Sequence, residues 1–251
     1  MSKDEVDSPI DPEAVHKVPD TEAGRHESLA QKIRSIEAAA VAGVLFAVIG
    51  AIALALLSSF PDLDQGEPGL KTWFADSGNQ TTLIFGANLM VFSSIMFLWF
   101  VAVIRRRLGD LEDQFFGTVF LGSAFAFVAV WLGHGAAVAG PAVAVSHFEG
   151  ASVTGPSLSN AAGLGAAYLL VIGPRVEAVF VLVTSVLFLR SRVLPTWLAI
   201  LGFVIALGMF FLPLIATPTG YGFPVWVMVV SFTILAVRPR KREVEAVTAV
   251  G

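Results

Sequence analysis

The chain contains no cysteine, which excludes disulfides, thiolate metal sites, iron–sulfur clusters and thiol nucleophiles, and leaves the redox compartment open. Charge is scarce as well: 14% of residues are Asp, Glu, Lys or Arg, against about 25% in an ordinary soluble domain. No phosphate-binding loop, dinucleotide fingerprint or nucleic-acid module is legible. What fills the chain is hydrocarbon, with 55% hydrophobic residues and a mean hydropathy of +0.76.

That apolar content is concentrated in six blocks, residues 36–58, 81–104, 114–140, 159–189, 195–217 and 222–237. Each is close to the ~20 residues that carry a helix across ~30 Å of hydrocarbon. The fold class expected is therefore all-α, an integral membrane bundle of six transmembrane helices. Ala51, Ala53 and Ala55 imitate a signal-peptidase site, but the block is too long and its leader too acidic for a cleaved signal.

Orientation follows from the cations, because Lys and Arg near span ends resist translocation. Lys32, Arg34, Arg105, Arg106, Arg107, Arg190, Arg192, Arg238, Arg240, Lys241 and Arg242 fall on one side, and only Lys71 falls on the other. The opposite loops hold Asp62, Asp64, Glu67, Asp76, His147 and Glu149. Both termini are predicted to be cytoplasmic, with the basic flanks against anionic lipid head groups. Trp99 and Trp197 fall at inner ends, and Trp131 and Trp226 toward outer ends, as expected of interfacial rings.

Residues 1–28 carry Asp4, Glu5, Asp7, Asp11, Glu13, Asp20, Glu22 and Glu27 with almost no large apolar group, the composition of a disordered cytoplasmic tail. Residues 29–238 form the membrane domain, and 239–251 a short basic tail. Around Leu29, Ile33 and Ile36 apolar residues recur at helical spacing, which predicts either a short helix on the inner surface or an extension of the first span.

Two intramembrane features stand out. In the first block Ala39, Gly43, Ala47, Ala51 and Ala55 repeat every fourth residue, a small-residue seam on which another helix backbone can pack closely, from this chain or from a second copy. In the fourth block Ile172-Gly173-Pro174-Arg175-Val176-Glu177 puts a helix breaker and two opposite charges inside an apolar run, where each charge costs at least ~2.5 kcal/mol. Counted from Leu189, Glu177 lies ~18 Å and Arg175 ~21 Å above the inner boundary. Side chains two apart on a helix diverge by ~200°, so the two are not expected to pair directly. Pro174 removes a backbone donor and frees the carbonyl of Leu170, so a kink could either bring the two heads closer or expose a carbonyl that Arg175 then satisfies. By the same count Asn88 lies ~24 Å and His134 ~28 Å from the inner boundary. Arg175, Glu177, Asn88 and His134 are therefore the candidate polar site, read either as a proton, ion or solute site or as a buried ion pair that fixes helix register.

Other chemistry is weakly signalled. Ser123 and His134 on one helix lie ~16 Å apart along its axis, too far for nucleophile and base. His147, Glu149, Asp62 and Asp64 lack metal-ligand spacing, and His134 has no intramembrane histidine partner for haem. Pro174 and Pro213 break the fourth and fifth blocks without counterparts in the first and second, against an inverted repeat. No metal, cofactor, nucleic acid or enzymatic activity is expected.

The stretch Arg192-Val193-Leu194-Pro195-Thr196-Trp197-Leu198, with Leu201-Gly202, Trp226, Ser231 and Arg238-Pro239, resembles the C-terminal third of uncharacterised six-span membrane proteins common in actinobacteria. Phe97-Leu98-Trp99-Phe100 running into Arg105-Arg106-Arg107-Leu108 is similar to the end of their second span. The resemblance implies a bacterial inner membrane and carries over no catalytic residue. The function expected is a small permease-like or solute-binding protein using Arg175 and Glu177 on a small polar solute. The alternative is a structural or partner-binding membrane protein, or a homo-oligomer, built on the first-span seam and the tail.

Overall fold

The structure, a computed structural model, describes residues 22–108, 114–191, 194–211 and 219–236. The chain divides into two units, Met1–Arg34 and Ser35–Gly251. Among the described residues there is no strand: the order is α1 (Glu22–Leu57), α2 (Gly66–Ala75), α3 (Ser77–Leu108), α4 (Gln114–His147), α5 (Gly155–Ala166), a π segment (Ala167–Ile172), α6 (Gly173–Ser191), α7 (Thr196–Phe211) and α8 (Gly222–Ala236). Four stretches, Ala40–Leu57, Ser77–Arg105, Phe115–His147 and Gly155–Ser191, are long and apolar enough to cross a membrane. This is the architecture of an integral membrane protein. The last two apolar helices, 16 and 15 residues long, reach ~24 and ~22 Å; the remainder of the fifth block, residues 212–217, and Val237 lie outside the described residues.

Three boundaries differ from the sequence reading. Of the tail expected to be disordered, residues 1–21 lie outside the described residues, as do 239–251, but Glu22–Ser28 is helical. Glu22, Ala23, Arg25 and Glu27 are adequate helix formers, and they belong to the same helical element as the first span. The 59–80 loop contains α2, whose Leu70 and Phe74 are buried. Asn79 and Gln80 donate to the carbonyls of Trp73 and Phe74, closing the end of α2. The third span does not stop at Gly140 but runs through Pro141 to His147. A proline removes one donor, which an apolar helix tolerates where neighbours hold the turn, and Ala142 is fully buried.

The core is aromatic. Phe97 of α3 has ring centroids at 5.1 Å from Phe46 of α1, 4.8 Å from Phe127 of α4, 5.2 Å from Phe180 of α6 and 5.6 Å from Phe223 of α8. Most of these pairs are tilted or edge-on, the geometry that sets positive ring edges against negative faces. Phenylalanine suits the position because it brings large dispersion area and no polar atom to satisfy.

Trp131 and Trp226 were expected at the interface and are instead core residues, 2% and 1% exposed. Trp131 packs tilted against Phe127 and donates to Ser93 Oγ at 2.9 Å; Trp226 lies against Phe223 and Phe180, its N–H without a partner among the described residues. Their distance from the span ends said nothing of which face they occupy. Trp99 and Trp197 are exposed, as interfacial rings require.

At Gly43 and Ala47 the seam on α1 closes within this chain. A Cβ on Gly43 would collide with Ser231 Oγ of α8 and lie 2.8 Å from the Phe100 ring of α3. Ala47 is buried, Ala51 half-buried and Ala55 exposed; the side chain of Ala39 lies outside the described residues. The stripe leaves the interface because four residues advance ~400°, a drift of ~40° at each repeat. Gly50, Ala53, Leu54 and Leu57 take over the buried face. α7 docks on α6 in the same way, Gly202 making room for Ser185.

Truncating the central ring tests this packing. Phe97→Ala is expected to cost ~3–5 kcal/mol, as for large-to-small core changes, in reversible unfolding from mixed micelles, whereas Phe92→Ala, on the exposed face of the same helix, leaves stability within ~0.5 kcal/mol. Equal losses from both would contradict the description of Phe97 as the central contact.

Candidate functional site

Pro174 has no N–H, so an α-helix continued through it leaves a carbonyl without its donor. The chain meets this with the π segment Ala167–Ile172, at whose end the N–H of Gly173 bonds to the carbonyl of Tyr168 five residues back. Glycine is required there: a Cβ on Gly173 would lie 2.8 Å from that oxygen. π segments close each hydrogen bond one residue further back than an α-helix does and are frequent at functional sites.

Arg175 and Glu177 emerge from this break in different directions, as their spacing predicts. Arg175 is half-buried and its guanidinium donates to the carbonyl of Val171. The expected recipient was Leu170; the wider π turn shifts the register, and it is the next carbonyl that Arg175 reaches. Glu177 is 4% exposed. Its Oε1 lies 3.7 Å from the position a Gly173 Cβ would take, as does Cγ1 of Val130 on the facing helix α4. No ion pair joins the two charged residues, and Glu177 has no hydrogen-bond partner among the described residues.

His134 is buried on α4, with Nδ1 at 2.9 Å from the carbonyl oxygen of Gly165 on α5. A carbonyl only accepts, so Nδ1 carries the hydrogen and Nε2 is left with its lone pair. α5 is positioned for this contact by its N-terminus, where Thr154 and Ser157 form a reciprocal capping box. Gly165 keeps the approach open, since a Cβ there would lie 2.7 Å from Val138. One turn of chain further on, the phenol ring of Tyr168 rests on Gly133, with Cε1 and Cζ at 2.9 Å from where a Cβ would be.

The four-residue cluster is thus divided. His134 and Glu177 both lie on the interface of α4 with α5, the π segment and α6, and Arg175 stands at its edge. Asn88 is not part of it: the residue is exposed on α3, in line with Phe85 and Phe92, and its amide donates to its own helix at the Ile84 carbonyl, 2.8 Å away. A short amide can satisfy itself against the carbonyl four residues back, which removes the need to turn inward. Tyr168 was missed. Its signal was Gly133 directly before His134, and Gly165 before the tyrosine, small residues that let two helices approach.

The remaining polar residues have local roles. Ser123 donates to the Phe120 carbonyl at 3.0 Å. Asp62 accepts from the Asp64 N–H at 3.2 Å and Asp76 from the Gly78 N–H at 2.7 Å, each at the start of a helical turn. His147 Nδ1 is 2.7 Å from Ser146 Oγ. Among the described residues no group of three or more His, Cys, Asp or Glu gathers as a metal site would.

If Arg175 and Glu177 do not pair, their energies add. In Arg175→Met, Glu177→Gln and the double variant, unfolding free energies are expected to be additive within ~0.5 kcal/mol; a larger coupling, with the double variant recovering what the singles lose, would restore the register-fixing ion pair. No protein-family model, curated protein or solved structure matches this chain, so the site is read from its own geometry.

Proposed function

We propose that this chain is a small permease-like membrane protein of six spans, both termini cytoplasmic, in a bacterial plasma membrane, which binds a polar solute or coupling ion at the carboxyl of Glu177. The observation that carries this is a carboxyl 4% exposed, inside an apolar helix and without a partner among the described residues. In such a place the charge must be neutralised by something that arrives from outside the fold, because desolvating an unpaired carboxylate costs several kcal/mol. The cation that a structural ion pair would use, Arg175, is committed to the Val171 carbonyl. The π break beside Glu177 loosens the interface at the same level, as discontinuous helices do around midplane sites.

Six spans are supported by the four long apolar helices together with α7 and α8, and the orientation by the one-sided distribution of Arg and Lys. The alternative of a structural or partner-binding protein loses part of one of its two supports, because the α1 seam is filled at Gly43 by Ser231 and Phe100 of the same chain, while Ala55 is exposed; of the other, the tail, residues 1–21 lie outside the described residues.

A fluorescent reporter fused to the C-terminus is expected to light up in the cytosol, whereas alkaline phosphatase at the same point is expected to be inactive; the reverse pattern would overturn the orientation. In a thermal-shift screen of ions and small polar solutes, a ligand is expected that stabilises the purified protein and fails on Glu177→Gln. Equal stabilisation of the variant would remove Glu177 from the site.

A further inference from the structure

Three protonatable groups, none with a hydrogen-bond partner for its free polar atom among the described residues, fall in order along one interface. They are Nε2 of His134, the hydroxyl of Tyr168 and the carboxyl of Glu177. Tyr168 touches the surroundings of both others. Its ring lies on Gly133, the residue beside His134, and its carbonyl accepts from Gly173, one turn before Glu177. The space a side chain would take at Gly133 is filled by the phenol ring, and that at Gly173 lies 2.8 Å from the Tyr168 carbonyl oxygen and 3.7 Å from Glu177 Oε1, so the absence of both side chains lets Tyr168 stand between the other two residues.

We infer that His134, Tyr168 and Glu177 are successive stations of a water-bridged proton path, entered from the side of the α4–α5 turn, and that the ion taken up by Glu177 is a proton. The inference rests on the reading of Glu177 as the binding carboxyl. A proton arriving at Nε2 makes His134 an imidazolium, whose Nδ1–H stays on the Gly165 carbonyl. The phenol oxygen of Tyr168 receives that proton as its own hydrogen moves on to the Glu177 carboxylate. The result is a neutral imidazole, an unchanged phenol and a carboxylic acid, with no electron transferred. Of the other titratable groups near this interface, Arg175 donates to the Val171 carbonyl, Glu67 of α2 accepts from the Gly155 N–H at the start of α5, Arg190 lies over the Phe116 ring, His147 lies beside Ser146 at the end of α4, and Tyr221 stands in an exposed turn.

The test follows the carboxylic C=O stretch of the purified full-length protein by infrared spectroscopy after transfer from H2O to D2O. Subtracting the Glu177→Gln spectrum isolates the Glu177 carboxyl. Tyr168→Phe keeps the ring on Gly133 without the hydroxyl, and His134→Asn keeps a donor for Gly165 without the ring lone pair. Both are expected to slow deuteration of the Glu177 carboxyl at least about a hundredfold, the lower end of what a positioned acid–base group contributes, with unfolding temperatures near that of the wild type. Deuteration at the wild-type rate in both variants overturns the path while the Glu177 band still marks the binding carboxyl. A spectrum with no Glu177-dependent carboxylic band at any pH overturns the reading of Glu177 as a proton site, and the path with it.

Discussion

Inside a bilayer the apolar side chain of a helix gains little by leaving lipid for protein, so a bundle must be held by the quality of its contacts rather than by exclusion of water. Here that quality is concentrated in one ring, Phe97, which meets aromatic side chains from four other helices. Aromatic pairs add ~0.5–1.5 kcal/mol each beyond area, and together they fix the rotation of every helix that contributes one. Phe127 of α4 is two turns from His134, and Phe180 of α6 is one turn from Glu177, so the packing that joins these rings also sets which faces of α4 and α6 meet.

Beyond the rings the same interface changes character. Where Phe97, Phe127 and Phe180 interlock, the helices are regular and tightly filled. A few turns away come Gly133, Gly165, the π segment, Gly173 and Pro174, positions that supply either no side chain or no backbone donor. A polar group can be kept in such a region because the rigid part carries the stability and the irregular part is relieved of it. The division explains why the unpartnered carboxyl and the half-buried tyrosine occur at the break and not among the phenylalanines.

Much of this was legible in the sequence, for reasons of length and spacing. The second, third and fourth apolar blocks lie within observed helices because hydrocarbon thickness leaves few alternatives to a helix of that size. The divergence of Arg175 from Glu177 followed from helical angle, and the close approach at Gly43 from the absence of a side chain. What was not legible is rotational. Composition places Trp131, Trp226 and Asn88 at a depth but not on a face, and in a chain apolar on all sides no amphipathic stripe marks the inside. Tyr168 escaped notice because its significance lies in a π turn, which has no reliable sequence signature. The helix α2 was hidden by the acids around it, two of which prove to be caps.

The contact of Gly43 with Ser231, and of Phe46 with Phe223, joins the first apolar helix to the last. During synthesis these surfaces cannot meet until the ribosome has released the chain through α8. The opening segment must therefore wait in the lipid with its small-residue groove unfilled, which the absence of charged residues from 38 to 57 permits. The groove is then filled by α8, which fits it with Ser231 and brings Phe223 and Trp226 into the middle of the bundle. A nascent chain cut short before residue 222 would keep its earlier membrane segments yet lack the wedge that binds them, leaving an inserted but unlocked intermediate for quality-control proteases to recognise.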